Sequence, residues 1–172
     1  GTFSFSLPVS DKMIDSLSYG QIIGIDNKYF GIVRSLKETA GDSKTVTVSG
    51  ADLKGYTEQR ITLYPATELD EGMQGYDGIA DVPTETVVKY FVNNNIVNPS
   101  NSKRKIPGIV LGADFHRGIQ DDRYMSRFEL LSDLCNKNLE NAKMGYSITP
   151  DIENNSLVFD VIEGVNRTAS QS

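Results

Sequence analysis

The succession of hydrophobic patterns between residues 84 and 168 limits this fold more than any other feature. Val87, Val88, Phe91, Val92 and Ile96 recur at helical spacing and mark one buried stripe. Asp81 and Pro83 are expected to open that helix, with Glu85 at the positive end of its dipole, and the Asn93-Asn94-Asn95 run and Pro99 to stop it. A basic turn follows, then a short apolar strand at 109–111. Ser126-Arg127-Phe128-Glu129 reads as a capping box for a second helix reaching about Lys143, with Gly145 as its left-handed cap. Two strands at 146–149 and 157–162 close the series around a turn near 153–155. Helix, strand, helix and hairpin in this order predict an α+β portion.

The first 64 residues have a different rhythm. Phe3, Phe5 and Leu7 alternate with Thr2, Ser4 and Ser6, as in a strand buried on one face, and Pro8 ends it. Residues 11–18 suit a short helical turn. Residues 21–25 and 28–36 read as a hairpin around Asp26-Asn27, and Ala40-Gly41-Asp42 turns the chain into a strand at 44–50 with Val46 and Val48 on one face. A brief helix fits 51–60 and a last strand 61–64. Short Thr- and Ser-rich strands in a meander predict a small β-barrel or a curved antiparallel sheet.

Residues 65–82 separate the two portions. They hold Gly72, Gly75 and Gly78 with Glu68, Asp70, Glu71, Asp77 and Asp81, and no Lys or Arg. This reads as a solvated acidic loop. A divalent cation there would want a D-x-D-x-D-G ligand loop, which is missing. The expected organisation is a β-rich barrel-like portion at 1–66, an acidic Gly-rich linker at 67–82, an α+β portion at 83–168 and a polar tail at 169–172.

Composition excludes several classes. Seven Phe and eight Tyr in 172 residues supply a core, and no run approaches the roughly 18–20 apolar residues of a membrane span. A soluble protein is expected. Gly1 in place of an initiator Met, with a strand already under way at Thr2, reads as a piece of a longer gene product; a processed N-terminus or a tag scar is the alternative. The net charge of −6 disfavours a general nucleic-acid binder. Cys135 is the single cysteine, so no internal disulfide forms, and it shares a helical face with Phe128, Leu131 and Leu139 as a core thiol.

Catalytic chemistry finds little purchase. His116 is the only histidine, so a triad must be built around it or not at all, and a multi-histidine metal site is impossible. Local bonding within ADFHRGIQDD is the expected role of His116. A carboxylate pair for glycoside cleavage has candidates in Asp114, Asp121 and Asp122. Neither a phosphate loop nor a dinucleotide motif is present, and no cofactor or metal is expected. From 103 to 127 there are six basic residues, among them Lys103, Arg104, Lys105, Arg117 and Arg123. These are expected to contact another subunit, with Glu68, Asp70 and Glu71 in the acidic segment as the complementary surface. The outer face of the strand at 157–162 is only partly polar, which leaves room for another layer or subunit to cover it.

The segments GTFSFSLP, YGQIIGID, YFGIVRSLKE and TVTVSGADLKGYTEQRI, and then ETVVKYFVNNNIV, SRFELLSDL and LVFDVIEGVNRT, resemble the siphovirus tail proteins of the ReqiPepy type. The resemblance covers nearly the whole chain and carries no catalytic signature. It implies a non-enzymatic component of a phage or prophage tail tip, a baseplate hub built of small β-barrels with inserted helices. Such a subunit assembles as a ring, with a trimer favoured, and attaches tail-tip or fibre parts. Its partners are then itself and other tail proteins, its place the virion, and the host cytoplasm before assembly. The alternatives are a phage-associated carbohydrate hydrolase and a module binding host-surface glycans.

Overall fold

A computed structural model of the protein describes residues 1–26, 28–39, 44–64 and 75–164. The chain divides into two compact units, residues 1–55 and 56–172.

The first unit is one four-stranded antiparallel sheet in the order β1-β4-β3-β2, formed by β1 (Thr2–Pro8), β2 (Ile22–Ile25), β3 (Tyr29–Thr39) and β4 (Thr45–Asp52). β1 pairs with β4 so that Phe5 faces Val48 and Leu7 faces Val46. The alternation predicted for β1 holds: Phe3, Phe5 and Leu7 are the less exposed residues. Val33, Val46 and Val48 are buried, and Phe3, Phe5, Ile14, Leu17 and Ile23 pack against them. The β3–β4 register shifts between Val33 and Ser35, a bulge that bends the sheet. β1 and β2 lie at opposite edges without pairing to each other, so the sheet stays open and curved. Among the described residues no sheet closes into a barrel, which corrects that half of the sequence expectation.

The second unit holds helices α1 (Thr84–Val92) and α2 (Leu131–Asn141) with two small sheets. β5 (Asp77–Pro83) pairs antiparallel with β7 (Gln120–Ser126). β9 (Ser156–Glu163) lies between β6 (Ile109–Leu111), which is parallel to it, and antiparallel β8 (Met144–Asp151). The core is the stripe Val87, Val88, Phe91, Val92 and Ile96, each buried as predicted, against Leu131, Leu134, Cys135 and Leu139 of α2. Tyr146 and Phe159, with ring centroids 5.3 Å apart, add the inner face of the sheet. No helix among the described residues is long and apolar enough to cross a membrane.

Several local expectations change. Residues 77–82, read as loop, form most of β5; Asp77 is buried there because the Tyr90 hydroxyl (2.7 Å) and Asn94 amide (3.3 Å) bond its carboxylate. Asp81 therefore lies in a strand, and the α1 N-cap position is Pro83, with no side-chain cap. Carbonyls of the loop 117–119 do that work: Thr84 N–H donates to the Ile119 carbonyl (2.9 Å) and Glu85 N–H to that of Arg117 (3.0 Å). The three asparagines do not end the helix at once. Asn93–Val97 continues it as a π turn, in which buried Asn95 donates to the Phe91 carbonyl (2.9 Å) and accepts from Leu63 N–H (3.1 Å).

Helix α2 starts at Leu131 instead of Ser126. Phe128 has φ +56°, a left-handed conformation that no helix interior tolerates, and it is half exposed instead of facing the core. Ser126 and Glu129 do meet, at 2.9 Å, but side chain to side chain, with Thr62 completing the group at 2.8 Å from Ser126. The helix ends at Asn141, Lys143 takes the left-handed turn (φ +56°), and Gly145 lies within β8. Residues 61–64 form no strand beyond one bridge, Ile61 to Leu130, because Leu63 N–H turns to Asn95 instead of a ladder.

Candidate functional site

Four charged side chains converge in the second unit. Glu85 and Lys89, one helical turn apart on α1, are both buried. Lys89 Nζ donates to Glu85 Oε1 (2.8 Å), to Asp160 Oδ1 of β9 (2.9 Å) and to the Ala113 carbonyl. Arg117 grips Glu85 with two parallel bonds, Nε to Oε2 at 2.8 Å and Nη2 to Oε1 at 3.0 Å. Its backbone N–H adds a third at 3.1 Å, and Nη2 also reaches the Val161 carbonyl at 2.7 Å. Gly112 makes room for Asp160: a Cβ there would lie 2.8 Å from the carboxylate carbon.

Two cations and two anions thus tie α1, the loop 112–119 and β9 together. Burial works against ionisation of Glu85, but the bonds from Arg117 and Lys89 outweigh it and hold its pKa down at about 2. Such a carboxylate does not exchange protons at neutral pH. Among the described residues no buried side-chain polar atom lacks a partner. Glu85 and Lys89 have all their buried polar atoms bonded, and the arrangement clamps α1 to the loop and to β9.

The other candidate groups are dispersed. His116 is exposed with φ +56°; its backbone N–H donates to Asp114 Oδ1 (2.9 Å) and its Nδ1 lies 3.0 Å from Thr86 Oγ1. Thr86 in turn donates to Asp114 Oδ2 (2.7 Å). Hydroxyl and carboxylate both approach the Nδ1 side, whereas a triad needs them on opposite ring nitrogens. This is the local bonding that the loop sequence predicts. Asp121 and Asp122 are consecutive on β7, so their side chains point to opposite faces. Asp114 is held by Thr86. Cys135 is fully buried, and burial, then Glu129, push its thiol pKa up, away from a nucleophile's range. Among the described residues no group of His, Cys, Asp and Glu could hold a metal ion.

Of the residues expected at a subunit contact, Arg117 is consumed by Glu85. Lys103 and Lys105 are exposed, and Arg123 is exposed on β7 opposite Ala80. Arg104 is half-buried; its Nη2 donates to the Ile61 carbonyl (2.6 Å), and Arg60 donates twice to the Arg104 carbonyl. Glu68, Asp70 and Glu71 lie outside the described residues. Sequence reasoning missed Arg60, Lys89 and Asp160. A Glu-x-x-x-Lys pair inside an apolar helical stripe was the available signal for Lys89.

The sequence matches the family described as Siphovirus ReqiPepy6 Gp37-like protein over residues 1–172. The chain belongs to that family. The resemblance to siphovirus tail proteins of the ReqiPepy type is thereby borne out. Two solved structures share the fold. A tail protein from Neisseria meningitidis MC58 aligns over 92% of this chain and 41% of its own, with 16% identity and a TM-score of 0.50. A prophage tail protein from Listeria monocytogenes EGD-e aligns over 92% and 40%, with 10% identity and a TM-score of 0.51. This family member therefore spans about two-fifths of the length of either structure. No curated protein matches it.

Proposed function

We propose that this chain is a non-enzymatic structural component of a phage or prophage tail tip, a hub subunit that assembles as a ring and attaches tail-tip or fibre parts. The observation that carries the reading is the family match along the entire chain. The fold shared with two tail proteins supports it. The charge cluster supports the non-enzymatic part, since Glu85 and Lys89 are buried and bonded to Arg117 and Asp160. The partners are further copies of the chain, three to a ring, and other tail proteins, with assembly in the host cytoplasm and residence in the virion. A net charge of −6 suits a subunit near a DNA-conducting lumen, because it repels phosphate.

The test is deletion of the gene in its phage or prophage, followed by electron microscopy of the particles. Tails that lack tips, restored by the wild-type gene and equally by the His116→Ala and Cys135→Ala variants, are expected. Normal tails from the deletion strain would refute the structural role, and failure of the folded His116→Ala variant to complement would reopen an enzymatic one.

A further inference from the structure

The second unit exposes two surfaces of opposite charge that no ion pair among the described residues neutralises. The first is basic. Arg60 donates from Nε and Nη2 to the Arg104 carbonyl (3.1 and 2.9 Å) and from Nη1 to the Gln59 carbonyl (3.0 Å), while Arg104 Nη2 bonds the Ile61 carbonyl. These carbonyls fix both guanidiniums without cancelling their charge. Burial, and then Arg60 itself, lower the pKa of Arg104. Lys103 and Lys105 flank the pair and are exposed. The ion pairs of the described residues engage Gly1, Lys89, His116 and Arg117, and none of these four cations.

The segment 60–64 carries this surface on to an aromatic rim. Thr62 N–H donates to the Glu129 carbonyl (2.8 Å) and its carbonyl accepts from Phe128 N–H (3.0 Å), which sets Tyr64 beside Phe128, ring centroids 6.3 Å apart. The Arg127 guanidinium lies over Phe128 (5.1 Å) and over Tyr76 (5.7 Å). Exposed aromatic rings with arginine are the composition that protein interfaces concentrate at their centres.

The second surface is acidic. Asp81 and Asp122 are exposed on the paired strands β5 and β7, between the register pairs Ala80–Arg123 and Val82–Asp121. Arg123 follows Asp122 on β7 and so points to the other face with Asp121, and no ion pair among the described residues engages Asp81 or Asp122. Ser126, which bonds Thr62 two residues beyond Arg60, lies four residues beyond Asp122, about 13 Å along a strand. That exceeds the Debye length of about 8 Å in physiological salt, at which exposed charges are largely screened from each other.

We infer that the surface of Arg60, Lys103, Arg104 and Lys105 docks the Asp81 and Asp122 surface of a second copy of this chain. The inference rests on the proposal that the chain is an assembling subunit, and names the contact. Two different patches make a head-to-tail contact, which closes into a ring when the rotation per step allows. Carboxylates fit better than nucleic-acid phosphates, because the net charge of −6 opposes a phosphate backbone and the chain supplies its own complementary acids.

Sedimentation velocity of the full chain at low and high salt tests this. Wild type is expected to associate at low salt and to dissociate at high salt. Lys103→Glu/Lys105→Glu and Asp81→Asn/Asp122→Lys should each weaken association by about tenfold or more. An equimolar mixture of the two variants should restore pairwise association, since each altered surface meets its altered partner, and the rescue is read at that step because a three-membered ring cannot close from two alternating variants. The two lysines and two aspartates make no side-chain hydrogen bond among the described residues, and unchanged thermal melts will verify the folds. Association that survives Lys103→Glu/Lys105→Glu overturns the docking surface and leaves ring assembly standing. No rescue in the mixture overturns the acidic partner. A monomeric wild type overturns the inference, and retention of a labelled DNA duplex that the lysine variant loses reassigns the basic surface to nucleic acid. Presence of the chain in virions is read independently of all these outcomes.

Discussion

Arg117 and Glu85 meet through two parallel bonds, Nε to Oε2 at 2.8 Å and Nη2 to Oε1 at 3.0 Å, with Glu85 withdrawn from solvent. The pair joins the loop ahead of β7 to the first turn of α1, where a helix start would otherwise lack side-chain capping. Removing one partner of a buried pair leaves the other charge uncompensated, which costs more than the pair contributes. Arg117→Ala is therefore expected to destabilise the second unit by about 3 kcal/mol. Urea unfolding followed by circular dichroism will measure it, and a loss below about 1 kcal/mol would mean that water replaces the guanidinium without difficulty.

The same pair sets an acid limit. The pKa of Glu85 is about 2 in the folded chain against an ordinary 4.5, so the unfolded state binds its proton first. The stabilisation is fully present above about pH 4.5 and is lost as the pH falls toward 2. Integrated over that window it is on the order of 3 kcal/mol. Stability measured from pH 6 to pH 2 should fall more steeply for wild type than for Glu85→Gln, whose curve lacks this titration. Parallel curves would remove Glu85 from the account.

Gly50 of β4 admits the Phe3 ring. A Cβ at Gly50 would lie 2.5 Å from Phe3 Cζ and would also run into the Ile32 carbonyl oxygen. Gly50→Ala is expected to cost about 2 kcal/mol or more by displacing a core aromatic and a strand carbonyl. Phe3→Ala combined with Gly50→Ala should recover part of that loss relative to the sum of the two single changes. Strict additivity would show that the backbone clash dominates.

Cys135 should be silent to thiol reagents in the native chain and react once the chain unfolds, because it is buried within α2. Cys135→Ala is expected to cost on the order of 1 kcal/mol through packing alone. Rapid native-state labelling by a thiol-reactive dye is the outcome that would contradict its burial.

The apolar periodicities were legible in the residues because burial selects for them directly. Val87 to Ile96 gave α1 its face, and Phe3, Phe5 and Leu7 gave β1 its own. Signals that depend on a distant partner were not legible. Ser126 and Glu129 have capping-box spacing, yet Thr62, 64 residues away from Ser126, recruits the serine, and α2 begins five residues later. β5 and β7 have no apolar alternation to announce them; they exist because they pair with each other and because Asp77 finds Tyr90. The clamp was hidden for the same reason, since Asp160 sits 71 residues from Lys89. Lys103, Arg104 and Lys105 were visible as a charge run, but Arg60 joins them only in space.

The most direct measurement is the location of the chain in purified phage particles. Peptide mass spectrometry should detect the protein in virions, and antibody labelling should place it at the distal end of the tail. Particles that carry every other tail protein but not this chain, or label confined to the head, would contradict the proposed tail-tip role.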